Sequence, residues 1–279
     1  MKICTGKEAD HTMISFICCL LIILLSCSRK PERTDSNLWE ISGTGLNNES
    51  HIFGSIHMIP RDRASTRSEV IRILESCEIV VFEINLDSVR NSTVGTVNTY
   101  LSPEERNELR CFLKDSFNLE NTVIDSLYRF NALMFGTVLI RLYFGDLFYP
   151  DYHYHEMAKK MNKRMHYLDS YSELTGVQKE AVKDLWYRSD SSRNRYISDL
   201  DRLFDFYNLE RGSSVDSFMR YDIHSDRTLA EMKNCEWFPD IDSLIKENKT
   251  LIIIGSGHLG GDTGFLKLLK DNGRKVRPI

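Results

Sequence analysis

No basic stripe runs along this chain of 279 residues; 36 lysines and arginines face 40 aspartates and glutamates, for a net charge of −4. That balance argues against any binding built on neutralising nucleic-acid phosphates. Cysteine is scarce where a fold would use it. Of seven cysteines, Cys4, Cys18, Cys19 and Cys27 lie in the leader or at its end, so only Cys77, Cys111 and Cys235 remain in the body. They are widely separated, odd in number and without a CxxC pair. This argues against a disulfide framework and a cysteine-type structural zinc site, although one disulfide stays open with its pairing unread. No GxSxG elbow is present, which argues against a serine nucleophile. No repeat of fixed period is found.

Long hydrophobic runs are missing too. Met13–Leu25 is uncharged over 13 residues, short of the roughly 20 that a membrane span needs and right for the apolar part of a signal peptide. Lys2 and Lys7 precede it, but so do Glu8 and Asp10, and translation starting at Met13 is an alternative. The run ends in "LLSC", which resembles a bacterial lipobox with Ser26 before Cys27. The expectation is a signal peptide over 1–26, a lipidated Cys27, and an exported lipoprotein tethered to a membrane of the bacterial envelope. A plain membrane anchor or a cleaved signal is the alternative. A polar tether follows over 27–37, and then a single domain over 38–279, in which 42% hydrophobic residues allow a sizeable core.

Within the domain, "LWEISG" and "HIFGSIHMIP" flank a turn-rich segment and predict a hairpin. The period of "SEVIRILESC" predicts a helix over 68–77, and "EIVVFEINL" a buried strand over 78–86. Residues 101–161 read as mainly helical. Ser102 and Pro103 mark one helix start, with acidic residues in its first turn. A short strand is expected at 164–170 and polar-faced helices up to about 245. "TLIIIGSG" is then a strand, "GFLKLLKDNG" a helix stopped by Gly273, and "RKVRPI" a last short strand.

Two strand ends echo one another. "FGSIH" carries Gly54 and His57, and "IGSGH" carries Gly255 and His258. Each histidine is expected just past the carboxyl end of a strand, where α/β sheets bind ligands. Glu83 interrupts "VVFEINL", a costly place for a carboxylate that is neither paired, hydrogen-bonded nor bound to metal. The coincidence of His57, Glu83 and His258 predicts one shared site. Two histidines and a carboxylate suit a catalytic divalent metal such as zinc, manganese or cobalt. The same groups suit metal-free acid–base work, and residue types alone leave both open.

These residues carry a resemblance. "LWEISGTG…HIFGSIHMIP", "VVFEINL" and "LIIIGSGHLGGDTGFLKLLKDNGRKV" resemble the TraB/PrgY/GumN family, which includes the Tiki metalloproteases and is similar more remotely to erythromycin-esterase and ChaN-like proteins. The resemblance implies an α/β (α+β) fold, with a central mixed β-sheet flanked by helices and a long helical insertion between the two GxxH motifs, at about 101–161 and 171–248. It matches His57, Glu83 and His258 to the family's two GxxH histidines and strand glutamate. It implies a metal-dependent hydrolase, most readily a peptidase, acting on a peptide or small molecule, with Glu83 as ligand or general base. A ligand-binding regulatory lipoprotein and a metal-free esterase are the competing implications. "YPDYHYHEMAKK" is similar to the family's aspartate-bearing segment, Leu168-Asp169 stands where leucine-glutamate is usual, and "HSDRTLAEM" resembles an arginine-asparagine segment in which Thr228 replaces the asparagine. Arg227 is thus expected as an anion or transition-state contact, or else as a structural ion pair.

Lesser expectations complete the reading. Ser55 and Ser256 are expected to hydrogen-bond the histidines from behind. His51, on the strand before the first motif, is a minor candidate for joining it and is read first as a structural residue. His153 and His155 are expected on different sides of a helix, as surface or packing residues. "GHLGGDTG" suggests an anion cradle, with Asp262 as the helix cap.

Overall fold

A computed structural model describes residues 36–91, 96–170, 190–208 and 227–279. The expected signal peptide, Cys27 and most of the tether lie outside these residues, as does part of the polar-faced helical region expected before 245. Among the described residues no helix is long and apolar enough to cross a membrane.

The described chain runs β1 (Leu38–Gly43), β2 (Ser50–Ser55), β3 (Ile59–Pro60), α1 (Ser68–Ser76), β4 (Ile79–Ile84) and α2 (Leu86–Asn91). A helical stretch follows, with α3 (Val97–Tyr100), α4 (Pro103–Phe117), α5 (Asn121–Leu127) and α6 (Ala132–Phe144). Next come β5 (Leu147–Phe148), α7 (Pro150–Lys160), β6 (Arg164–Asp169), α8 (Asp190–Asn208) and α9 (Arg227–Glu247). The chain closes with β7 (Thr250–Gly255), α10 (Phe265–Asp271) and β8 (Arg274–Pro278).

Six strands form one mixed sheet in the order β6-β4-β7-β2-β1-β8. β6, β4, β7 and β2 run parallel. β1 is antiparallel to both β2 and β8, and the expected hairpin is its pairing with β2. The central strands β4 and β7 are apolar on both sides, as strands covered on both faces must be. In β4, Val80 and Phe82 enter one core while Ile79 and Val81 enter the other; in β7, Leu251 and Ile253 part likewise from Ile252 and Ile254. The first core is covered by α1 through Val70 and Leu74, by α7 through Tyr154 and Ala158, and by α8 through Leu203 and Phe204. The second is covered by α9 through Trp237, Ile241 and Ile245, and by α10 through Phe265 and Leu269. Each buried Leu, Ile or Phe contributes about 2 kcal/mol of transfer free energy. Helices α3–α6 hold a third cluster of their own around Leu109, Leu113 and Phe135.

Local chemistry fixes the ends. α4 begins as expected, with Pro103 in its first turn and a capping box in which Ser102 Oγ accepts from Glu105 N and Glu105 reaches back to Ser102 N. The strand expected over 78–86 stops at Ile84, because Asn85 Oδ1 accepts the Asp87 N–H at 3.0 Å and turns the chain into α2. Cys77, Cys111 and Cys235 are free thiols.

Candidate functional site

Three neighbouring parallel strands, β4, β7 and β2, deliver the three predicted residues to one edge of the sheet. Glu83 is the last residue but one of β4, His258 ends a 3-10 turn that follows β7 directly, and His57 lies two residues beyond β2. This is the carboxyl edge, where an α/β sheet binds ligands. The two GSxH turns are not symmetric copies. Ser55 pairs with Gly255, so the first motif runs one residue ahead of the second.

Gly255 is the hub. Its N–H donates to Glu83 Oε1 at 2.5 Å, which satisfies a carboxylate whose side chain is 19% exposed. Such a charge-assisted bond offsets much of the cost of holding a carboxylate inside an apolar strand. A Cβ on Gly255 would lie 3.3 Å from Glu83 Oε1, 3.6 Å from His258 Cδ2 and 3.6 Å from His57 Cε1. The missing side chain therefore leaves a small cradle, and all three predicted residues face it. Gly54 is required for a different close approach: a Cβ there would meet Leu259 Cδ1 at 2.5 Å and Ser256 Cα at 3.0 Å. Without that glycine the two motif turns could not pack against one another.

Each histidine is held at Nδ1. Asp151 Oδ2, from the first turn of α7, lies 2.6 Å from His57 Nδ1. Asn234, from α9, lies with Oδ1 2.7 Å from His258 Nδ1, and its Nδ2 donates to the His258 carbonyl at 3.2 Å. A carbonyl only accepts, so the amide nitrogen must face it and Oδ1 must face the ring. His258 is then protonated at Nδ1, and its Nε2 lone pair is left 3.7 Å from Glu83 Oε1. An acceptor behind Nδ1 with Nε2 turned forward is the arrangement that orients metal-ligating histidines. Trp237, one turn on from Asn234, lays its ring 4.9 Å from that of His258. Lys233, half-buried, lies 2.9 Å from Asp169, and this ion pair pins α9 to the end of β6. The aspartate standing in place of the family's usual glutamate thus has a structural partner.

The two imidazoles titrate in opposite directions. For His57, the protein packed around the ring's inner side opposes the charged form, but the hydrogen bond and charge of Asp151, with Glu83 behind them, outweigh it and push the pKa up to about 10. Solvent reaches 62% of that side chain and screens the pair. The His57–Asp151 pairing therefore favours the folded state below the ordinary histidine value, and this contribution is lost as pH rises through about 10. For His258, burial lowers the pKa, the charge of His57 adds to that, and Glu83 opposes it.

Other expectations fare differently. Arg227 opens α9, but its side chain and that of Thr228 lie outside the described residues. Ser55 Oγ donates to the Ile254 carbonyl at 3.2 Å, clamping β2 to β7 rather than supporting a histidine. His51 lies at the opposite end of β2, beside Glu40 of β1, so it is not near the first motif. Gly264, and not Asp262, caps α10, and no side chain caps it. His155 is fully buried, whereas His153 packs beside Phe148 and Tyr154. The structure adds a group that sequence spacing did not suggest. One donor atom each from Asp87, His155 and Glu156 lies within 4.8 Å of the others, so these residues could hold a metal ion. Asp87 is remote in the chain and reaches α7 only through the fold.

The TraB/PrgY/gumN family model matches residues 37–278. The chain belongs to the TraB/PrgY/gumN family. No curated protein and no solved structure matches it. The match spans every strand of the sheet, so all three residues at the Gly255 cradle fall within the TraB/PrgY/gumN region. Asp151 and Asn234 complete the site and were not predicted. For Asp151 the quoted "YPD" segment was a signal; for Asn234 the sequence offered none.

Replacing Asn234 by leucine removes the acceptor that fixes the His258 tautomer. The expected result is a 10- to 100-fold loss of metal affinity at the cradle with the protein still folded. Isothermal titration with zinc, alongside circular dichroism, measures it.

Proposed function

We propose that this protein is a metal-dependent hydrolase whose centre is His57, Glu83 and His258. The observation that carries the reading is the Gly255 cradle, faced by all three residues, with Asp151 and Asn234 behind the two histidines. The donor set suits zinc, manganese or cobalt. His57 and His258 would hold the metal through Nε2, with Glu83 as third ligand or as general base. When bound, such a metal supplies a polarised carbonyl and an acidified water. The chain's own groups do the rest. Asp151 and Asn234 fix both rings, and the Gly255 N–H orients Glu83 so that its second oxygen can take a proton from water. Trp237 keeps one side of His258 dry.

The substrate class we propose is a peptide, on the strength of the resemblance to the Tiki metalloproteases. We also propose attachment to a bacterial envelope membrane through lipid on Cys27. The test is hydrolysis of a peptide library by the purified full-length protein. Cleavage that o-phenanthroline stops and added zinc or manganese restores is expected; cleavage indifferent to chelators would refute the metal-dependent reading. A metal-free mechanism has one observation in its favour. His57 is backed by a carboxylate and His258 by a neutral amide, the unequal support that an acid and a base would need.

A further inference from the structure

The group on α7 is a separate matter. His155 is fully buried, and its Nδ1 has no hydrogen-bond partner. Its other ring nitrogen, Nε2, lies 3.0 Å from Tyr167 Oη. The Tyr167 hydroxyl donates to Met165 Sδ at 3.6 Å. In the tautomer with its proton on Nε2, His155 donates to Tyr167 Oη and presents an Nδ1 lone pair inside the protein, 3.9 Å from Glu156 Oε1. A lone pair facing carboxylates is repelled unless a cation lies between them. The one at hand is the Lys159 ammonium, 2.7 Å from Asp87 Oδ2 and 3.2 Å from Glu156 Oε1. It makes no hydrogen bond to His155 Nδ1.

We propose that Asp87, His155 and Glu156 form a second divalent transition-metal site, distinct from the Gly255 cradle, from which the Lys159 ammonium is displaced when metal binds. One imidazole nitrogen and two carboxylates suit zinc, manganese or cobalt. The three donors lie within 4.8 Å of one another, and bonds of about 2.1 Å would draw them to separations near 3.4 Å. That closure asks for movements of about 1 Å in two side chains that are partly exposed. Charge favours the exchange, since one ammonium leaves the two carboxylates with a net negative charge and a divalent ion neutralises both. Lys159 is 39% exposed and can swing into water. The site also shares elements with the cradle. His155 lies one helical turn beyond Asp151, about 6 Å along the axis, and Asp87 follows Glu83 at the end of β4. Metal here would brace the helix that holds His57.

The experiment is zinc titration of the full-length His57→Ala/His258→Ala protein, in which the cradle is disabled. One saturable equivalent is expected, at least tenfold weaker in the added presence of Asp87→Asn and about tenfold tighter with Lys159→Met. Asp87 is exposed enough that its substitution spares the core, whereas His155→Ala would leave a buried cavity. Circular dichroism confirms folding. No saturable uptake by the folded protein, or uptake that Asp87→Asn does not change, would overturn the proposal. Should the double variant not fold, Asp87→Asn in the otherwise unaltered chain must remove one zinc equivalent, and its failure to do so overturns the proposal equally. Because the cradle is absent from the first arm, neither result depends on the hydrolase reading.

Discussion

Glu83→Gln is expected to leave the protein folded and to cut peptide hydrolysis by a factor of 10²–10⁴, the range lost with a positioned general base. Glutamine has the same shape and keeps an Oε1 to accept the Gly255 N–H, now at 2.5 Å from the carboxylate. The thermal midpoint should therefore move little. What disappears is the charge 3.7 Å from His258 Nε2, and with it the second oxygen as a proton acceptor. Metal content measured beside the rate separates the two roles of Glu83. Metal retained with rate lost marks a general base; metal lost together with rate marks a ligand. A Glu83→Gln protein that hydrolyses peptide at the parent rate would remove Glu83 from the mechanism.

Gly264→Ala is expected to be the most damaging single methyl in the described fold. A Cβ there would overlap the carbonyl carbon and oxygen of Gly260 and lie 2.6 Å from the Leu259 carbonyl oxygen. All three are backbone atoms, so no rotamer change relieves the clash. The turn from His258 into α10 would have to open, breaking the Leu266 N–H bond to the Leu259 carbonyl and loosening Phe265 from the second core. A loss of about 3 kcal/mol or more follows, at the upper end for overpacking. In a domain of this size that lowers the midpoint by about 6–12 °C. Gly273 makes the contrast. It has φ of 78° but nothing within 4 Å of the added carbon, so alanine there carries only the left-handed backbone strain of about 1–2 kcal/mol. Equal midpoints for the two variants would contradict this packing.

How far the sequence reveals the site depends on the range of the interaction involved. The β1–β2 hairpin, the two-faced burial of β4 and the place of each histidine past a strand end all follow from alternation and local turn residues. Those patterns repeat within a few positions, so they can be read directly. The supports behind the histidines cannot. Asp151 is 94 positions from His57, and Asn234 is 24 from His258. Each reaches its ring only because α7 and α9 cover opposite faces of the sheet. The offset between the GSxH turns is hidden for the same reason, since β2–β7 register joins segments some 200 positions apart. His155 shows the limit of helical periodicity. Spacing places it and His153 on different faces of α7, but only the fold shows that one of those faces is interior and meets Asp87.

The central claim, that His57, Glu83 and His258 together hold a divalent metal, is tested most directly by elemental mass spectrometry. The samples are the full-length protein purified without chelator and its His57→Ala and His258→Ala variants. The account predicts that zinc, manganese or cobalt near one equivalent at this centre is present in the parent and lost from both variants, each still folded. A parent whose metal content is the same as that of both variants would contradict it.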